Sequence, residues 1–159
     1  MQLSSKIVDT LTCWFGAGSL KGPRGTWGSL AALPFAWLIQ YFFARDGLFI
    51  ASIICFFVGV VVVDSYVRRT KTKDPSFAVI DEVAGQWLTL VVLNQFSFIG
   101  FTIGFFLFRF FDILKPPPCR KLEDLPDGLG VMADDMAAGA YAAVCLYIIQ
   151  LYMPWVFIF

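Results

Sequence analysis

Apolar residues in this chain are gathered into long blocks, and most of the charged residues fall between them. A helix needs about 20 apolar residues to cross the hydrocarbon core of a bilayer, and the blocks predict four to five such spans. The first runs from about Trp27 to Ala44 and the second from about Leu48 to Val63, with Arg45-Asp46-Gly47 as a tight turn between them. A third begins near Val83 and fades around Phe96, a fourth runs from about Ile99 to Leu114, and the last starts near Met136 and reaches the C-terminus. Spans three and four are short and joined by Asn94-Gln95, which leaves a re-entrant hairpin as the alternative to two full crossings. The N-terminal stretch MQLSSKIVDTLTCW is interrupted by Asp9 and lacks a cleavage-like site, so it reads as a short amphipathic helix on the membrane surface and not as a secretory signal. The expected fold is all-α: a polytopic membrane helix bundle of four to five spans with an N-terminal interfacial helix, a single domain over residues 1–159.

Basic residues orient this bundle. Lys6, Lys21 and Arg24 precede span one; Arg68, Arg69, Lys71 and Lys73 follow span two; Arg109, Lys115, Arg120 and Lys121 end or follow span four, and only Arg45 falls on the other side. The positive-inside rule then puts the N-terminus, the 64–82 loop and the 115–135 loop in the cytoplasm. Three acidic clusters, Asp81-Glu82, Asp112 and Asp134-Asp135, meet at that same face and at similar depth. Carboxylates at the edge of a span are costly, and paired acids repel, so a cation is needed to keep them ionised. A divalent metal flanked by basic side chains would satisfy them, and that is equipment for handling phosphate at a membrane surface.

Composition narrows the chemistry. The chain is 58% hydrophobic and 15% charged, against about 25% charged in a soluble domain. Zero net charge argues against a nucleic-acid partner. Histidine is absent, which removes Ser-His and Cys-His nucleophile pairs and histidine-ligated zinc. No cysteine is followed six residues later by arginine, and no G-x-x-x-x-G-K-[ST] loop occurs. Cys13, Cys55, Cys119 and Cys145 have no metal or disulfide spacing. Hydrolysis would have to rest on carboxylates and a metal.

Spacing suggests how these groups are held. Lys73-Asp74-Pro75 reads as a helix start with Asp74 as N-cap, which places Asp81 and Glu82 about two turns in. Gly85 lies one turn beyond Asp81, and Ala138 and Gly139 lie one turn beyond Asp134 and Asp135. An acid pair followed by small residues, found twice, suggests two helices packed closely around one ligand; a solvated acidic patch at a helix entrance is the competing reading. Arg109, Asp112 and Lys115 line one helix face, with Arg109 about 9 Å inward of Lys115. They form either a phosphate grip or an Arg109–Asp112 intrahelical pair with Lys115 snorkelling. Pro116-Pro117-Pro118 ends that helix stiffly. The segment from Gly16 to Ser29 is either a flexible loop or, through its amides with Lys21, Arg24 and Thr26, a lining for an anion.

At these residues the chain resembles the phosphatidylglycerophosphatase A family of bacterial, magnesium-dependent lipid phosphatases. The resemblance is carried by GTWGSLAALP at 25–34, KDPSFAVIDEVAGQW at 73–87, FRFFDILKPPPCR at 108–120 and GLGVMADDMAAG at 128–139. It implies hydrolysis of phosphatidylglycerophosphate to phosphatidylglycerol and inorganic phosphate in the bacterial cytoplasmic membrane, with a multi-pass chain and an active site facing the cytoplasm. Arg24 stands where the family usually has proline, and Asp127 where a second glycine is common. Relatives often carry an Asp-Arg pair where this chain reads Leu122-Glu123-Asp124, so Glu123 and Asp124 are set aside.

The expected catalytic set is Asp81, Glu82, Asp112, Asp134 and Asp135, with Asp81, Glu82, Asp134 and Asp135 as candidate ligands for Mg2+, a cation that prefers hard oxygen donors. Arg109, Lys115, Arg120 and Thr26 are the candidate phosphate-binding residues, the substrate is a membrane phospholipid, and oligomeric state is left open. The main rival is a small ion or proton transporter with an interfacial acidic site. Reconstituted into liposomes, the protein is expected to release phosphate from lipid and carry no ion or proton flux; a flux without lipid turnover would select the transporter.

Overall fold

The described residues, 4–72 and 77–157 of a computed structural model, contain helices and turns and no strand. In chain order these are α1 (Ser5–Thr12), a 3-10 turn (Ala17–Ser19), α2 (Arg24–Thr70), α3 (Ile80–Leu90), α4 (Phe98–Leu114), α5 (Cys119–Glu123), α6 (Asp127–Tyr152) and a last 3-10 turn (Pro154–Phe157). The all-α expectation holds. The expected cap at Asp74, with Lys73 and Pro75, lies outside the described residues. α3 itself starts at Ile80, so Asp81 and Glu82 sit in its first turn and not two turns in. That place is favourable, because the unpaired N–H groups of a helix start attract negative charge.

α2 is two helices joined at one residue. Ala44 has φ 55 and ψ −164, a backbone region otherwise almost reserved for glycine, at a cost of about 1–3 kcal/mol. Contacts to α3 show that the chain reverses there. Trp87 Nε1 donates to Ala32 O at 2.9 Å and Gln40 Nε2 to Leu93 O at 2.6 Å, a parallel register. Ser52 Oγ donates to Ala84 O at 2.9 Å and Cys55 Sγ lies 3.8 Å from Ile80 O, an antiparallel one. The arms are residues 24–43 and 45–70. The tight turn expected at Arg45-Asp46-Gly47 is therefore corrected: the reversal is at Ala44, and 45–47 already belong to the second arm, since a single residue with positive φ turns the chain without a loop.

α3 runs away from its acidic start towards this reversal, where Arg45 Nη1 donates to Asn94 Oδ1 at 3.0 Å. α4 returns, with Gly104 against Leu90 and Gly85 against Phe108. α6 then runs outward again, from Met132 beside Gly59 to Leu146 beside Gly104. Among the described residues two helices, α2 and α6, are long and apolar enough to cross a membrane by length and composition. The third expected span is helical over only 11 residues, which rise about 16 Å against the ~30 Å of a hydrocarbon core. The last expected span is corrected at both ends: α6 begins at Asp127, ahead of Met136, and ends at Tyr152, with Pro154 opening a new turn. Outward faces carry apolar side chains such as Phe42, Phe57, Phe98, Phe106 and Val144, so the bundle is greasy outside as well as inside.

The interior contact that sets the bundle is backbone against backbone. A Cβ on Gly139 would lie 3.0 Å from Gly85 Cα, and one on Gly85 would lie 2.6 Å from Asp135 O and from the Phe108 ring. Thr89 Oγ, buried one turn deeper, contacts Gly85 O at 3.0 Å and Gly139 O at 3.3 Å, tying α3 to α6. Gly139→Val is expected to destabilise the fold by about 1–3 kcal/mol through overpacking, read as a lowered unfolding midpoint in detergent; an unchanged midpoint would show that the helices do not need this approach.

Candidate active site

All three acidic clusters and most of the predicted basic residues come together at one end of the bundle. α3 contributes Asp81 and Glu82 from its first turn, α4 contributes Arg109 and Asp112 from its last turns, and α6 contributes Asp134 and Asp135 two turns after its start. The first arm of α2 enters the same place with Gly25 and Ser29. The start of α3 is pinned from outside: Val79 N–H donates to Thr12 O at 2.9 Å, and Val79 packs on Gly18 and Gly28.

The acids divide into two constellations. Asp81, Glu82 and Asp135 each offer a carboxylate oxygen within 4.8 Å of the others. Asp112 adjoins Asp135, and Asp81 adjoins Glu82. Arg109 Nη1 stands over this group, 2.6 Å from Asp112 Oδ2 and 4.0 Å from Glu82 Oε1, and donates to Ser29 Oγ at 3.4 Å. Gly25 supplies the space: a Cβ there would lie 2.8 Å from Arg109 Nη1 and would also collide with Glu82 Oε1. The second constellation is Lys115, 2.8 Å from Asp134 Oδ2 and 3.3 Å from Glu123 Oε2.

The expected four-acid set is thus not gathered as a single cluster. Neighbours in sequence, Asp134 and Asp135, point to different partners, because successive residues on a helix are about 100° apart. Thr26 lies in the first turn of α2 beside Gly25, and Arg120 is exposed on α5. The intrahelical Arg109–Asp112 pair is present, and Arg109 also faces Glu82 of α3. Sequence reasoning missed Ser29, the hydroxyl that receives Arg109 and donates to Gly25 O at 2.9 Å. It also set aside Glu123, which contacts Lys115, and passed over Gln86, fully buried one turn beyond Glu82 with neither amide atom paired among the described residues. The signal for Gln86 was available in its four-residue spacing from Glu82; for Ser29 and Glu123 only the folded arrangement supplies it.

The donor set can be tested against a cation. Asp81 Oδ1 and Glu82 Oε2 are buried with no hydrogen-bond partner among the described residues, although an unpaired buried carboxylate oxygen is expensive. Three convergent carboxylates, two of them with an unpaired buried oxygen, and no nitrogen or sulfur donor fit a hard divalent cation.

The family described as phosphatidylglycerophosphatase A matches residues 10–150. The chain belongs to the phosphatidylglycerophosphatase A family. A phosphatidylglycerophosphatase A of Haemophilus influenzae is 32% identical over 147 residues, covering 92% of this chain and 90% of the relative. One from Escherichia coli K12 is 32% identical over 145 residues, covering 91% and 84%. A Bacteroides thetaiotaomicron protein with the provisional designation phosphatidylinositol-3-phosphatase is 32% identical over 138 residues, covering 83% and 86%. No solved structure matches the chain. Phosphatidylglycerophosphatase A proteins are phosphoric monoester hydrolases, and the acid clusters of this chain lie within the matched region.

Lys115 closes α4 in a left-handed conformation, φ 46 and ψ 63, as the αR region is disfavoured ahead of Pro116. Burial pushes its ammonium pKa down, but the hydrogen bond and charge of Asp134, then those of Glu123, outweigh that and hold it above the ordinary lysine value. Its stabilising contribution is therefore complete below the unfolded value near ~10.4 and is lost only as pH rises through the higher folded one. Lys115→Gln is expected to cost about 1–3 kcal/mol at neutral pH by leaving Asp134 buried without its cation, and Asp134→Asn in the same chain to restore most of that. Additive losses in the double variant, measured by thermal unfolding, would mean that the pair is not coupled.

Proposed function

We propose that the protein is a magnesium-dependent phosphatase that hydrolyses phosphatidylglycerophosphate to phosphatidylglycerol and inorganic phosphate at the cytoplasmic face of the membrane. The observation that carries this reading is the convergence of Asp81, Glu82 and Asp135 under Arg109 at one end of an apolar bundle. Relatives named for phosphatidylglycerophosphate hydrolysis, and one named for a phosphatidylinositol 3-phosphate, share a phosphomonoester carried on a glycerolipid. Both arms of α2, the α3–α4 unit and α6 would traverse the bilayer, giving the multi-pass chain of four to five spans. Arg24 opens α2, Arg68 and Arg69 close it and Lys115 ends α4, all on the side of the bundle away from the reversal at Ala44, and the positive-inside rule supports a cytoplasmic site.

Asp81, Glu82 and Asp135 would hold the magnesium ion. When bound, that ion supplies Lewis-acid stabilisation of phosphoryl oxygens and lowers the pKa of a coordinated water. Arg109 neutralises charge on the nonbridging oxygens, and its orientation is set by Asp112 and Ser29. Asp112, with Arg109 on Oδ2, orients the attacking water or accepts its proton through its second oxygen. Thr26 and the amides around Gly25 line the phosphate side. Lys115 organises the α4–α6 junction through Asp134 and presents positive charge to the approaching dianion, with Arg120 further out.

Asp81→Asn, Glu82→Gln and Asp135→Asn are each expected to lower kcat for phosphate release in micelles by ~100-fold or more. Asp134→Asn is expected to act less strongly, through Lys115. Chelation should abolish turnover, with magnesium and not zinc restoring it. Near-normal turnover in all three of the first variants would reject the metal-site reading.

A further inference from the structure

Between the first arm of α2 and α4 a groove of about 370 Å³ opens sideways, lined by Leu30, Leu33, Pro34, Trp37, Phe98 and Thr102. Its upper end adjoins the site, since Leu30 follows Ser29, the residue that receives Arg109 from α4 across the same seam. From Leu30 to Trp37 it extends about 10 Å along the helix axis, at 1.5 Å per residue. Its lower end is walled by aromatic rings: Trp37 meets Phe96 edge-on with centroids 6.3 Å apart, and Phe96 meets Phe101 at 4.9 Å. The single polar side chain in it, Thr102, donates its hydroxyl to Phe98 O at 2.8 Å and asks nothing of an occupant. Pro34 lines the seam, and having no N–H it leaves the Leu30 carbonyl without its intrahelical donor. The α3–α6 seam, by contrast, is closed by direct contact of Gly85 with Gly139.

We propose that this groove seats a segment of one acyl chain of the lipid whose phosphate is processed beside Arg109, an inference that rests on the lipid-phosphatase reading of the site. The seam offers both things a phosphomonoester lipid needs: Arg109 on Ser29 for the headgroup and, from the next residue of the α2 arm onward, an apolar trough. The chain lies along the helices, as a bilayer lipid does, so the substrate enters sideways without leaving the membrane.

The test uses the full-length protein in nanodiscs with phosphatidylglycerophosphate bearing a diazirine in one acyl chain. Adducts should concentrate on residues 30–37 and 96–102, and excess unlabelled phosphomonoester lipid should suppress them while phosphatidylcholine does not. Adducts spread over outward residues such as Phe57 and Val144, indifferent to competitor, would overturn the groove. Leu33→Trp, which fills the trough, should lower the ratio of kcat/KM for a long-chain over a short-chain, water-soluble substrate roughly tenfold, the value of about two buried methylenes. Trp37→Ala, which opens the closed end, should shift the same ratio if Leu33→Trp fails to fold. Hydrolysis of both substrates with the ratio unmoved rejects the groove and leaves the phosphatase reading intact. Wild-type protein that releases phosphate from neither lipid rejects the phosphatase reading, and the groove's role falls with it.

Discussion

The backbone contact of Gly85 on α3 with Gly139 on α6 governs where the charges meet. Without side chains between them the two helices touch through backbone, and Thr89 bonds to carbonyls on both. One turn back from that contact on each helix stand Glu82 with Asp81, and Asp135. Carboxylates would not gather within 4.8 Å unaided, since their mutual repulsion opposes it. Packing energy elsewhere in the bundle holds them there.

Around this core the charges are arranged in two separate roles. Arg109 leans over the three-acid group, steadied by Asp112 and Ser29. Lys115 instead staples the end of α4 to α6 through Asp134 and to α5 through Glu123. The proline run from Pro116 to Pro118 separates α4 from α5, and Tyr141 fixes it from α6 by donating to Pro117 O at 2.7 Å. A rigid junction at this point keeps Arg109 and Lys115 at constant depth relative to the acids.

Much of this was legible in the residues. The apolar blocks located α4 almost to the residue and the two arms of α2 to within a turn or so at the reversal. The twice-repeated acid pair with small residues one turn on foretold the α3–α6 contact, because helical periodicity makes side chains at i and i+4 share a face. The departure at Asp127 also acquires a reason: this residue has φ 51, a conformation that a glycine takes freely and that aspartate tolerates better than most. The partition of the acids was not legible. Asp134 and Asp135 are chemically the same, and only the rotation of α6 against α3 and α4 sends one to Lys115 and the other to Asp81 and Glu82.

The sequence by itself determined the helical class, the end of the bundle at which charge collects, the residue types available for phosphate chemistry and the family. These follow from composition and short-range periodicity, which are properties of the chain before it folds. Tertiary structure alone decided the reversal at Ala44, the early start of α6, the roles of Ser29 and Glu123, and the open seam beside Pro34. Each depends on distances between segments far apart in the chain, and such distances are set by how whole helices pack, a quantity no local pattern of residues encodes.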